Sequence, residues 1–275
     1  MKAVNFDYAR PADLSAAISL GARDGAMVKF IAGGQSLGPM LNLRLVQPDL
    51  LVDITAIAEL KRIEEKPDAI FIGACVTHAD IEDGRVPDVT GGAMRAVASS
   101  IAYRAVRNRG TIGGSLVHAD PSADWISALS AIGAQAVVRG QRQERRVLIE
   151  TLMTGVFECG LSAGELLAGI EVPRLSPDAR WGYFKHCRKT GELAHAIGAY
   201  LYDPARAVCR AVIGATGTRP IVFSNATTLF EGKPNGAIKR DVVERAMTES
   251  GMTDAIERQI HFACLRRAVE QARRA

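Results

Sequence analysis

Aromatic residues make up only 5% of this 275-residue chain, too few for the ladder of stacked rings on which single-stranded nucleic acid is held. Nucleic acid is therefore not an expected partner. The five cysteines, Cys75, Cys159, Cys187, Cys209 and Cys264, include no C-x-x-C pair, so neither a zinc site nor an iron–sulfur cluster with clustered ligands is readable, and buried thiols are expected. The histidines His78, His118, His186, His195 and His261 are equally scattered, without an H-E-x-x-H motif. Two common nucleotide fingerprints, G-x-G-x-x-G opening a helix and G-x-x-x-x-G-K-[ST], are missing, which argues against a standard Rossmann site or a P-loop. A serine nucleophile elbow is not expected either. No run approaches the roughly 18 apolar residues that cross a membrane, and the N-terminus has no apolar core of signal-peptide length. A cytoplasmic chain without a membrane span is expected. Lys and Arg number 34 against 30 Asp and Glu, a net charge of +4, which imposes no strong field of either sign.

What is present is glycine in a particular setting. An apolar run ends in Phe30-Ile31-Ala32-Gly33-Gly34-Gln35-Ser36-Leu37, and a second stretch, Thr111-Ile112-Gly113-Gly114-Ser115, repeats the pairing of two glycines with hydroxyl residues. Glycine lets backbone pass close to a ligand and take positive φ, and successive N–H groups in a turn form a concavity for an anion. One such pair is readily a plain strand-to-helix turn; two suit two linked phosphates. Arg104, Arg107 and Arg109 just before the second stretch would add a positive field.

Length and 48% hydrophobic content suit a globular chain of more than one unit. Periodicity predicts a helix over 12–22, strands over 27–31 and 49–54, a strand over 69–73, a short helix capped by Thr77, and a helix over 93–100. Asp120 is expected as the N-cap, with Pro121 at the first position, of a helix holding Trp125, Ile126, Leu129 and Ile132. Strands are expected over 136–139, 146–149 and 166–172, then a linker between Pro173 and Pro177. Beyond it come strands over 181–188 and 207–215, an apolar segment over 194–202, and helices over 225–230, 241–247 and 254–274, the last with Ile256, Ile260, Ala263 and Cys264 on one face. Strands followed by helices indicate an α+β fold. The expected units are 1–55, 56–175 and 178–275.

Together these features resemble the flavin-binding medium subunit of the molybdenum hydroxylases, the family of xanthine and carbon monoxide dehydrogenases. The resemblance rests on Ala32-Gly33-Gly34-Gln35-Ser36 after a strand, Thr111-Ile112-Gly113-Gly114-Ser115 ahead of Asp120-Pro121 and Asp124, Ile170-Glu171-Val172-Pro173, and the spacing of Lys185, Arg188 and Gly191. It implies a two-subdomain FAD-binding fold of the vanillyl-alcohol-oxidase type, then a smaller α+β C-terminal domain. FAD is implied as the cofactor, with molybdopterin and [2Fe–2S] clusters in a large and a small partner subunit, assembled as a dimer of heterotrimers. Phe30, Ile31, Ala32, Gly33, Gly34, Gln35, Ser36 and Leu37, with Thr111, Ile112, Gly113, Gly114 and Ser115, would line the diphosphate and ribityl chain. Ile101 and Leu167 would touch the cofactor, Asp124 would bond flavin-side hydroxyls, and Lys185 would approach the isoalloxazine ring. Glu192-Leu193-Ala194 departs from the family's usual acid, aromatic or branched residue, and alanine after Gly191, so Leu193 replaces a residue often near the ring. Trp181 and the C-terminal helices are expected to offer a docking surface. Two other readings remain: a self-sufficient FAD-dependent oxidase or reductase of the same fold, and a cofactor-free scaffold in which both glycine stretches are only turns.

Overall fold

The computed structural model describes residues 2–274 except Lys233 and Asn235. The first unit holds Asp7–Ala9 (β1), Leu14–Gly21 (α1), Val28–Ile31 (β2), Leu37–Asn42 (α2) and Leu50–Asp53 (β3). Its strands run parallel in the order β1-β3-β2. The central strand is flanked on both sides, so it reads as continuous Leu50-Leu51-Val52, all buried. Helix α1 starts where Asp13 accepts the Ala16 N–H at 2.8 Å, and it buries Leu14, Ala17 and Ile18, the three-and-four spacing of one helix face.

The second unit contributes Ile63–Glu65 (β4), Ala69–Gly73 (β5), His78–Glu82 (α3), Ala93–Ser100 (α4), Arg104–Arg107 (α5), Ile112–His118 (α6) and Asp124–Ile132 (α7). Gln135–Arg139 (β6), Glu144–Leu148 (β7), Ile149–Leu152 (α8), Met153–Gly155 (β8), Glu158–Cys159 (β9) and Leu166–Pro173 (β10) follow. The main sheet is antiparallel in the order β4-β5-β10-β6-β7, which brings the late strand β10 into its centre. Every residue of α7 is buried, the signature of a helix packed on all sides. Its Trp125 and Leu129 belong to the same apolar core as Leu14 and Val52 of the first unit. Asp120 does not cap this helix. It closes a turn instead, its carboxylate accepting the Ser122 N–H at 2.9 Å, and α7 begins after Ala123.

The third unit is an antiparallel meander of Arg180–His186 (β11), Ala196–Asp203 (β12), Val208–Gly214 (β13) and Ile221–Phe223 (β14), followed by Arg240–Glu249 (α9) and Ala255–Arg274 (α10). Helix α10 lies against β11 and β12 at bare backbone: a Cβ on Gly182 would fall 1.8 Å from the Ala268 carbonyl oxygen, and one on Gly198 would fall 2.4 Å from Cys264 C. The buried stripe of α10 is His261, Cys264, Leu265, Ala268, Val269 and Ala272. Ile256 is not on it; it sits in the first turn, ahead of the glycine contacts, and is 70% exposed. Residues expected as a helix over 225–230 form only the 3-10 turn Ala226–Leu229, where Asn225 turns the chain by accepting the Thr227 N–H at 3.3 Å.

Trp181 is not an open docking residue. It is partly buried against both the main core and the cluster of Ala131, Ala199 and Val212, and stacks on Tyr183 at 6.3 Å with the rings 6° from parallel. It therefore joins the second and third units. Arg210 reinforces the same seam, donating to the Ser130 carbonyl at 3.0 Å and pairing with Glu150 at 2.5 Å. No helix among the described residues is long and apolar enough to cross a membrane.

Candidate cofactor site

The parallel strand β2 delivers the chain to Ala32, and the turn that follows is open. Among the described residues the backbone N–H groups of Ala32 through Leu37 donate to no protein acceptor, and the first bond of the following helix is Gly38 N–H to the Gly34 carbonyl at 2.9 Å. Gly34 takes φ +71°, a conformation that side chains other than glycine adopt at a cost. A row of uncommitted N–H groups in a turn is the donor set that an anionic diphosphate needs. Gly33 has a different task. A Cβ there would lie 1.9 Å from the Arg109 carbonyl oxygen and 2.9 Å from Gly110 Cα, so the absent side chain lets the two glycine stretches touch.

The second stretch is not a second set of donors. Four of its five N–H groups are taken: Ile112 donates to the Val76 carbonyl at 3.0 Å, Gly113 to Ala74 at 3.0 Å and Ser115 to Thr111 at 3.0 Å, while Gly114 donates to the Thr111 hydroxyl at 3.1 Å; only the Thr111 N–H donates to no acceptor among the described residues. Gly113 is required by packing, since its Cβ would meet that of Ala74 at 2.4 Å. Gly114 is exposed and presents bare backbone.

The arginine field also shrinks on inspection. Arg104 pairs with Glu82 at 2.7 Å and Asp83 at 2.6 Å, and Arg107 pairs with Glu82 at 2.8 Å. Arg107 further donates to the carbonyls of Ile101 at 2.9 Å and Ala102 at 3.1 Å, clamping a turn in which Ala102 takes φ +42°. Of the three, only Arg109 has no ion pair among the described residues, and its side chain is exposed.

A buried charge pair crosses between the second and third units. Asp124, the first residue of α7, is 8% exposed. Its Oδ1 accepts from Lys185 Nζ at 2.9 Å and from the Tyr183 hydroxyl at 2.7 Å, and Lys185 also donates to the Ser100 carbonyl at 2.7 Å. Burial and then the Asp124 charge hold the Tyr183 phenol well above its ordinary pKa, so it is a neutral donor. Tyr183 carries a signal that sequence reasoning passed over: Tyr183-x-Lys185 on a strand puts both side chains on one face.

The other expected residues are placed as follows. Phe30 lies against Gly21 of α1, with a Cβ there only 2.5 Å from the ring, and Ile31, Ala32 and Ile101 are partly buried. Gln35 folds back on the Gly33 carbonyl at 3.1 Å. Leu167 is 2% exposed, inside the main core next to a bulge between Leu167 and Gly169. Leu193 is 63% exposed, in the loop where Gly191, at φ +90°, would bring a Cβ 2.9 Å from the Tyr103 ring. Gly34-Gln35-Ser36-Leu37-Gly38 does spell G-x-S-x-G between a strand and a helix, contrary to the expectation of no elbow. The chemistry is nonetheless missing, because no histidine or carboxylate bonds the Ser36 hydroxyl among the described residues. The described residues contain no metal-holding cluster, and all five cysteines are free thiols, with burial raising Cys75 to about 12 and Cys159 and Cys264 to about 11.

His78 supports the meeting point of the loops. It is 5% exposed, its N–H donates to the Gly110 carbonyl at 2.9 Å, and its Nδ1 accepts from Trp125 Nε1 at 3.1 Å. The ring proton therefore sits on Nε2. Burial, and secondarily the Arg107 charge, lowers its pKa from 6.5 to about 4. The unfolded chain binds this proton first, so the stability from neutral His78 is complete above about pH 6.5 and is lost as pH falls toward 4, worth about 3 kcal/mol. A His78→Gln variant should show a flatter melting temperature between those pH values than wild type; parallel curves would show that this ring is not the titrating group.

A turn with uncommitted backbone N–H groups has the donor chemistry that an anionic diphosphate takes. Residues 4–175 match the family model of the FAD-binding domain in molybdopterin dehydrogenase, and the chain belongs to that family of oxidoreductase subunits. It is 32% identical over 240 residues to the caffeine dehydrogenase subunit beta of Pseudomonas sp. strain CBB1, covering 86% of this chain and 81% of that one. It is 35% identical over 191 residues to the carbon monoxide dehydrogenase medium chain of Hydrogenophaga pseudoflava, covering 70% and 67%. A solved carbon monoxide dehydrogenase from Hydrogenophaga pseudoflava, lacking the Mo-pyranopterin moiety, superposes with a TM-score of 0.87 at 28% identity, covering 100% of this chain and 99% of that one. The expected α+β architecture and FAD as this chain's cofactor both stand.

Proposed function

We propose that the chain is the flavin subunit of a molybdenum-containing hydroxylase complex, through which electrons from the [2Fe–2S] clusters of a small partner subunit reach an external acceptor. A large molybdopterin subunit hydroxylates the substrate with oxygen from water, and the whole is a cytoplasmic dimer of heterotrimers. The observation that carries this reading is the open row of N–H groups from Ala32 to Leu37, held against Arg109 and Gly110 at Gly33.

FAD, when bound, supplies the redox chemistry, and the protein supplies position, electrostatics and shielding. The N–H groups of residues 32–37 bind the diphosphate, and Arg109, whose backbone meets Gly33 and whose side chain has no ion pair among the described residues, adds positive charge. Phe30 and Ile31 fix the strand end that aims this turn, and Thr111 to Ser115 offer the flat backbone wall along the ribityl chain. Ile101 and Leu167 exclude water on the ring side, Asp124 accepts from a cofactor hydroxyl, and Lys185 directs its charge at the ring. The units 1–55 and 56–175 hold the cofactor between them, and 178–275 closes the cleft with Lys185.

Expression of the chain with its partners, a visible spectrum, and mass identification of the released cofactor test this. About one FAD per chain is expected. A colourless chain that takes up no added FAD even with its partners would overturn the reading.

A further inference from the structure

Tyr183 is not among the residues assigned to hold the cofactor, yet its hydroxyl and Lys185 Nζ converge on one oxygen. Tyr183 donates to Asp124 Oδ1 at 2.7 Å and Lys185 to the same atom at 2.9 Å, while Lys185 spends a second proton on the Ser100 carbonyl at 2.7 Å. Asp124 Oδ2 accepts no bond among the described residues, and an ammonium has a third proton to give. A carboxylate torsion is broad and roughly two-fold, so without a second anchor on Oδ1 the group turns about its bond and the free oxygen loses its direction.

The ring of Tyr183 is held independently of Asp124. Trp181 stacks on it 6° from parallel, and its own backbone N–H donates to Gln271 Oε1 at 3.0 Å. Removal of the hydroxyl therefore leaves the ring in place and deletes one bond only.

We propose that Tyr183 is a positioning residue that pins Asp124 through Oδ1, so that Oδ2 and the spare Lys185 proton face the flavin cofactor as a fixed acceptor and donor. This rests on the FAD reading above. It makes the third unit a contributor to binding through two side chains rather than one, and it explains why a phenol is buried beside a charge: its raised pKa keeps it a donor.

The test is a double-mutant cycle on the full chain, with Tyr183→Phe, Asp124→Ala and the pair, each stripped of cofactor and titrated with FAD, and each melted without it. Tyr183→Phe should weaken FAD binding about 5- to 10-fold alone but less than 2-fold in the Asp124→Ala background, with a shifted visible flavin band and an apo melting temperature near that of wild type. Equal factors in the two backgrounds, or no weakening in either, overturn the positioning role alone. Wild-type chain that binds no FAD overturns the cofactor reading and this inference with it.

Discussion

Gly33→Val should empty the cleft of flavin. A side chain at this position meets the Arg109 carbonyl oxygen at 1.9 Å and Gly110 Cα at 2.9 Å, and neither is the end of a flexible side chain that can swing away. The turn carrying the free N–H groups must then move off the second stretch, and the diphosphate loses its donors together. Retained FAD, read from the visible band against protein, should fall from about one per chain to below about 0.1, a change in binding of about 80-fold or more, equivalent to at least about 2.6 kcal/mol at working concentrations. Two neighbours calibrate the result. Gly34→Ala meets only the Ile31 side chain, at 3.3 Å, but must hold φ +71°, which costs about 1 kcal/mol. Gly38→Ala meets nothing within 4 Å and should retain flavin fully. If Gly33→Val keeps its flavin, the contact between the two loops does not shape the site.

The second large effect lies away from the cofactor. Gly182→Ala inserts a carbon 1.8 Å from the Ala268 carbonyl and 3.1 Å from Ala272 N, forcing α10 off the sheet along its buried stripe. Overpacking of this kind costs about 3 kcal/mol, a fall of roughly 6–12 °C in melting temperature for a chain of this size. Gly198→Ala should do the same through Cys264. A melting temperature within about 1 °C of wild type for both would show that the helix seat is not limiting for stability.

Elements whose burial is local in origin were legible before any coordinates. Ala69–Gly73 and Ala93–Ser100 fall where periodicity places them, and Thr77 caps α3 in a reciprocal capping box with Asp80. Such signals are written within a few residues of one another. What failed depended on distant partners. Asp120-Pro121 has the chemistry of a helix start, yet the Ala215 N–H donates to the Pro121 carbonyl at 3.1 Å, tying that turn to the third unit and delaying the helix. Thr111 to Ser115 looks like a copy of the first glycine stretch, but Val76 and Ala74, beyond the end of another strand, take the donors of Ile112 and Gly113.

The cleft residues divide in the same way. The strand-to-turn setting of Gly33 and Gly34 is readable locally, whereas the neutralisation of Arg104 and Arg107 by Glu82 and Asp83 requires α3 and α5 to be adjacent. The two-residue spacing of Tyr183 and Lys185 puts them on one strand face, but that this face meets Asp124 requires knowing that β11 lies against the start of α7. Pairings 59 and 61 residues apart leave no trace in local periodicity.

That separation has a consequence for the order of events in biosynthesis. Lys185 trails Asp124 by 61 residues, which a ribosome working at roughly 5–20 residues per second needs roughly 3–12 s to add. During that interval the nascent chain carries both glycine stretches and the start of α7 without the lysine that pairs with Asp124 in the folded chain. The seam between the second and third units at Asp124 therefore closes only after β11 has been made, a late event in the life of the nascent chain.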